Sequence, residues 1–182
     1  MILPVYAYGT DILRAKTQEI ESSLEGLAEL IDNMWETMYH AEGVGLAAPQ
    51  IGQNIRLFIV DTEQISKDDQ KSGIKKVFIN PTVIEETGED YTYEEGCLSI
   101  PHIRADVTRP ERVKIKYLDT DFNEYTEIFD GFDARVIQHE YDHIEGILFV
   151  DRLKPLKKKL LKKKLSLIKA GKVNADYRMR FA

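Results

Sequence analysis

The sequence predicts an α+β fold, on three observations. One segment keeps an apolar face at helical period, several short β-like runs follow without strict helix–strand alternation, and two more helical stretches lie in the last third. With 182 residues, 43% of them hydrophobic and 9% aromatic, the chain can bury a real core, and one domain over residues 1–182 is expected.

Ser22 and Glu25 have capping-box spacing and are expected to open the first helix. Leu24, Leu27, Leu30, Ile31, Met34 and Met38 carry its apolar side to about Ala41, and Gly43 stops it. The run Ile55–Asp61 reads as a strand, as does Val77–Asn80 ahead of Pro81, with polar Glu63–Lys75 between them as a surface loop. Further β-like segments fall near Val83–Glu86, Arg104–Val107, Val113–Leu118 and Tyr125–Phe129. Asp130 is placed to cap a second helix, Gly131 to about Glu145, with Gly146 near its end. A basic third helix is expected from Pro155 to about Ala170, with a short tail at 171–182.

Charge is segregated. The net charge is −6, yet Arg152–Lys172 holds ten Lys or Arg residues and no acid, so the remainder is strongly acidic. In the basic segment Leu156, Leu160, Leu161, Leu165, Leu167 and Ile168 form an apolar side flanked by lysines. That pattern fits a helix packed on the domain, or an anion-binding surface for RNA or lipid headgroups. No apolar run is long enough for stable membrane insertion. The N-terminus has neither a secretory signal nor a transit-peptide composition, and the single cysteine, Cys97, rules out an internal disulfide. A cytoplasmic location is expected.

The chemistry concentrates in Gln138–His143, Q-H-E-Y-D-H. On a helix, His139 and His143 share one face and can grip a single ion, while Glu140 can reach a water without ligating. Phe132 and Val136 precede them on nearly the same stripe and aim the pair inward; Arg135 is expected to face solvent. A catalytic site wants a third protein ligand and an open position. Cys97, in E-E-G-C-L-S-I-P, competes for that role with Asp151 and Asp176, and composition alone does not choose. A third segment, G-V-G-L-A-A-P-Q at Gly43–Gln50, is a tight connector without a phosphate-loop ending.

Together, in this order, G-V-G-L-A-A-P-Q, E-G-C-L-S at Glu95–Ser99 and Q-H-E-Y-D-H resemble the three signature motifs of the peptide deformylases. A looser likeness runs from about Ile12 to Lys164; Gly9–Asp11 departs from it, and the tail Asn174–Ala182 falls outside it and is expected to lie away from the metal site. The resemblance implies mixed or antiparallel β-sheets around a central metal-binding helix. It implies removal of the formyl group from the N-terminal methionine of new polypeptides, by attack of a metal-bound water or hydroxide. Cys97, His139 and His143 would bind the metal, with Glu140 as general acid–base. Gln50 and the Leu98 backbone N–H would stabilise the oxyanion, and Gly45 would bind the peptide through its backbone. Val44, Phe132 and Val136 are candidates for the methionine pocket. Fe²⁺ is favoured, with Zn²⁺, Ni²⁺ or Co²⁺ as alternatives. Action on nascent chains makes a ribosome contact the favoured use of the basic helix. The rival readings are a metallopeptidase, and a non-catalytic ribosome-binding module with a structural metal.

Overall fold

A computed structural model describes residues 1–65 and 73–182. Its main sheet is antiparallel, in the order β2 (Gly45–Ala47), β3 (Leu57–Asp61), β4 (Lys75–Cys97), β5 (Ile100–Leu118), β6 (Glu124–Asp130). The two chain ends add a small parallel pair, β1 (Val5–Tyr6) with β7 (Met179–Arg180). Three helices pack on this frame: α1 (Leu27–His40), α2 (Gly131–Ile144) and α3 (Pro155–Lys169).

β3 explains the layering. Its five residues are all buried, and the strand period of two sends Phe58 and Val60 to one face and Leu57 and Ile59 to the other. Phe58 and Val60 meet Phe78, Val113, Ile115 and Phe129, with Ala134, Ile137 and Ile144 of α2 closing over them. Leu57 and Ile59 meet Ile31, Met34 and Met38 of α1. A third apolar cluster joins Ile103, Ala105 and Val107 of β5 to Phe149, Leu161, Leu165 and Ile168, with Met179 and Phe181 packed against it. Helix α2 thus lies within the molecule, ten of its fourteen residues buried although six of those ten are polar or charged. Such a helix can be buried only if its polar groups find partners.

Several expectations are corrected. α1 begins at Leu27 rather than at a Ser22 capping box. Leu24 closes a turn onto the Glu21 carbonyl, and Gly26, in a second turn, takes a left-handed φ of 77° just before the helix starts. Asp130 stands at the N-cap position of α2 but makes no side-chain cap. The separate β-segments merge into the long strands β4 and β5, bent by register shifts at Ile79/Thr82, Val83/Glu85, Thr87/Asp90 and Gly96/Cys97. Pro81, which lacks an N–H, sits in the first of these irregularities. Of the expected loop Glu63–Lys75, Glu63–Ile65 forms a 3₁₀ turn, Lys75 opens β4, and 66–72 lie outside the described residues. On α3 only Leu161, Leu165 and Ile168 are buried; Leu156 and Leu160 are about 70% exposed, so the apolar side is half as wide as its leucines suggest.

Phe78 is fully buried against Phe58 at 4.7 Å and Tyr117 at 4.5 Å between ring centroids. Phe78→Ala is expected to cost about 3–5 kcal/mol, read by equilibrium urea unfolding. A loss below about 1 kcal/mol would mean this layer repacks freely.

Candidate metal centre and active site

The β4–β5 ribbon turns at Leu98–Ser99, and its tip carries Cys97 to helix α2. There Cys97 Sγ lies 3.3 Å from His143 Nε2, and the His139 and His143 rings stand 5.1 Å apart. One donor atom from each of Cys97, His139 and His143 falls within 4.8 Å of the others. Asp151, in contrast, is taken up by Arg14 at 2.5 Å and the Leu148 N–H, and Asp176 lies outside the cluster. Cys97 is therefore the third donor. A thiolate and two imidazoles fit a divalent transition ion that keeps a position open. Glu140 Oε2, buried beside this cluster, has no hydrogen-bond partner among the described residues, as fits a carboxylate facing an ion and its water.

The donors are held by a second layer of residues. His139 Nδ1 meets Glu95 Oε1 at 2.9 Å, which leaves Nε2 for the metal. Glu95 also accepts Arg109 Nε at 2.7 Å, Arg109 Nη2 at 3.0 Å and Arg135 Nη1 at 2.9 Å. Burial alone would raise the Glu95 pKa, but the hydrogen bonds and charges of His139 and Arg109 outweigh it and hold the carboxyl well below its ordinary range. Arg109 continues to Asp142 at 2.8 Å, and Asp142 takes two bonds of 2.6 Å from Arg152. The two imidazoles differ. Burial and the nearby His139 depress the His143 pKa, whereas at His139 burial is outweighed by hydrogen bonds to Cys97 and Glu95. His143 Nδ1 has no second partner among the described residues.

Gln50 ends the first motif on a short 3₁₀ turn, Ala48–Ile51. Its carbonyl oxygen accepts the Ala47 N–H at 2.9 Å, so its amide nitrogen faces Cys97 Sγ at 3.5 Å and Ser99 Oγ at 3.2 Å. Glu140 rests on Gly45: a Cβ there would fall 2.5 Å from Glu140 Oε1, so only glycine leaves the carboxylate its place. Burial pushes the Glu140 carboxyl up to about 7. An adjacent divalent cation would pull it back down.

These groups open into a cavity of about 500 Å³ lined by Val44, Gly45, Gln50, Cys97, Leu98, Phe132, Val136, His139 and Glu140. The structure thus brings the residues singled out in sequence to one place. Two expectations fail. Arg135 is buried, held between the Tyr91 ring at 4.4 Å, Glu95, and the Tyr91 and Val107 carbonyls. The tail does not lie apart: Ala175, Asp176 and Tyr177 form one wall of the cavity. Glu95, Arg109, Asp142 and Ser99 went without roles in the sequence reading. Glu95 and Asp142 stand inside the two metal motifs, the one signal that could have found them; Arg109 carries no local mark.

The family model described as polypeptide deformylase matches residues 2–159. The chain is 51% identical to a peptide deformylase of Christiangramia forsetii over 100% of this chain and 96% of that protein. It is 52% identical to one of Cytophaga hutchinsonii, over 100% and 98%. Among solved structures, a mutant of Arabidopsis thaliana peptide deformylase 1B superposes with a TM-score of 0.84 at 33% identity, over 93% of this chain and 91% of that one. A peptide deformylase from Legionella pneumophila gives 0.82 at 38%, over 93% and 96%.

Glu95→Ala would leave Arg109 and Arg135 buried without their shared anion. It is expected to cost about 3–5 kcal/mol of stability and about 10–100-fold in metal affinity, checked by unfolding and by competition with a chelator. Unchanged metal affinity would remove Glu95 from the support of the centre.

Proposed function

This chain belongs to the polypeptide deformylase family, and on that premise we propose that it removes the formyl group from the N-terminal methionine of newly made polypeptides, releasing formate. The observation that carries this reading is the convergence of Cys97, His139 and His143 within 4.8 Å, with Glu140 beside them in a cavity. Ferrous iron is the proposed ion in the cell; zinc, nickel or cobalt suit the same donors. When bound, the ion acidifies a water and polarises the formyl carbonyl.

The chain's own residues do the rest. Glu140, poised on Gly45, takes the proton from the attacking water and returns it to the amine nitrogen as the C–N bond breaks. The Gln50 amide nitrogen and the Leu98 N–H donate to the formyl oxygen as it gains charge, each such donor typically contributing about 3–4 kcal/mol. Val44, Phe132 and Val136 offer the methionine side chain an apolar wall. β2 is the edge of the sheet, so Gly45 can present its backbone to an extended peptide, which binds main chain with little regard to sequence. Tail and motifs line one cavity, in keeping with a single catalytic unit over residues 1–182.

The place of action follows from the substrate: nascent chains and the lone thiol Cys97 suit the cytoplasm. No helix is long and apolar enough to cross a membrane. The lysines of α3 are all exposed, with no acid on that helix, and we assign them a contact with ribosomal RNA.

Iron-loaded protein prepared without oxygen is expected to release formate from a formyl-methionyl peptide and to leave the unformylated peptide intact. Glu140→Ala should keep its metal and lose at least about a hundredfold in turnover. Cleavage of unformylated peptides at a comparable rate would favour a peptidase instead. Ribosome binding should weaken steeply from low to physiological salt, and further on replacing Lys157, Lys158 and Lys159 by Glu; indifference to salt would argue against the RNA contact.

A further inference from the structure

Cys97 and Leu98 ride on the tip of a two-stranded ribbon, beyond the stretch of β5 that β6 covers at Arg112–Leu118. A two-stranded ribbon does not hold its own shape in water. Besides the contacts of the Cys97 sulfur with Gln50 and His143, three hydrogen bonds from outside the ribbon hold the turn at Leu98 and Ser99. Gln50 Nε2 donates to Ser99 Oγ at 3.2 Å, the Tyr8 N–H donates to the Ser99 carbonyl at 2.8 Å, and the Tyr177 hydroxyl donates to the Leu98 carbonyl at 2.7 Å.

Two of these donors belong to the chain ends, and the ends hold each other. Val5 and Tyr6 pair with Met179 and Arg180, the Val5 and Ala7 N–H groups donate to the Arg178 and Arg180 carbonyls at 2.9 and 2.8 Å, and Met179 and Phe181 pack on the core beside α3. On its other side Val173 packs on the same core and the Asn174 carbonyl meets the His102 ring, so Tyr177 is anchored on both sides. Burial first, then the charges of Cys97 and Asp176, push its phenol above the ordinary value, so it remains an O–H donor. The family model stops at residue 159, well before this tail.

The Leu98 carbonyl shares its rigid peptide plane with the Ser99 N–H, and the Leu98 N–H lies in the plane before it, two soft angles away. With Cys97 paired to Ile100 across the turn, clamping the Leu98 carbonyl and the Ser99 groups leaves those two angles little freedom. We propose that Tyr177 is a positioning residue for deformylation: its hydroxyl fixes the turn at Leu98 and so aims the Leu98 N–H at the formyl oxygen. This rests on the oxyanion role given to Leu98 above. A small misalignment of a preorganised donor lowers the rate of the chemical step without weakening substrate binding.

Tyr177→Phe removes the hydroxyl and leaves the ring to fill its place. In metal-loaded enzyme, kcat on a formyl-methionyl peptide is expected to fall about five- to tenfold, the scale of one net hydrogen bond, with KM within about twofold and metal content and unfolding midpoint unchanged. In nitrogen-15 spectra of the zinc-loaded protein, the Leu98 and Ser99 amides should shift while those of α1 stay. An unchanged kcat overturns the proposal, and so does a loss of kcat that only tracks lost metal or a lowered midpoint. Should the wild type release no formate, the deformylase reading fails by itself; unmoved Leu98 and Ser99 amides would then still overturn the role of Tyr177 in fixing the turn.

Discussion

The buried carboxylate of Glu95 is the point on which the site's architecture depends. It stands on β4 and takes hydrogen bonds from Arg109 on β5 and from Arg135 and His139 on α2. Each of these charges alone would cost several kcal/mol to bury, so none can enter the interior without the others. Their mutual satisfaction lets a helix as polar as α2 lie inside the molecule. It also orients the first imidazole and holds the ribbon against the helix that completes the donor set. Structural and catalytic demands here are one arrangement of charges.

Much of this was legible in the residues. The two histidines announced their chemistry because helical spacing alone puts them on a shared face, with Glu140 one turn before His143. β3 was visible because it is buried on both sides and is apolar throughout except for its terminal Asp61. The continuation of β4 past Glu86 was not, because from Thr87 to Asp90 it is exposed on both faces and a register shift there erases the alternation that marks a strand. Arg135 was misplaced because helical phase considers one helix only, and its partners Glu95, Tyr91 and Val107 lie on the ribbon. Tyr177 had no local signal at all; its partner Leu98 is 79 residues away.

The division of labour at the site follows from which elements are rigid. The buried helix contributes two of the three clustered donors, and the carboxylate proposed as proton carrier, from a single short stretch, His139 to His143. The sheet edge, β2, contributes the backbone proposed to bind the peptide. The ribbon contributes the third clustered donor, Cys97, and the backbone N–H of Leu98 proposed for the oxyanion, and its turn is held from outside. The basic helix α3 anchors with Leu161, Leu165 and Ile168 while its lysines stay in solvent.

A thiolate carried on such a tip makes the lifetime of the bound ion a matter of mechanics as well as ligand strength. Proteins open locally at their least supported parts before they unfold globally. Here one of the three clustered donors, Cys97, sits beside a two-residue turn, while the other two share a buried helix. Lifting the turn would take the sulfur away from both imidazoles and uncover it in the same event. Dispersal of the donor cluster and exposure of the thiol would therefore be one movement, and whatever tightens the turn at Leu98–Ser99 opposes both.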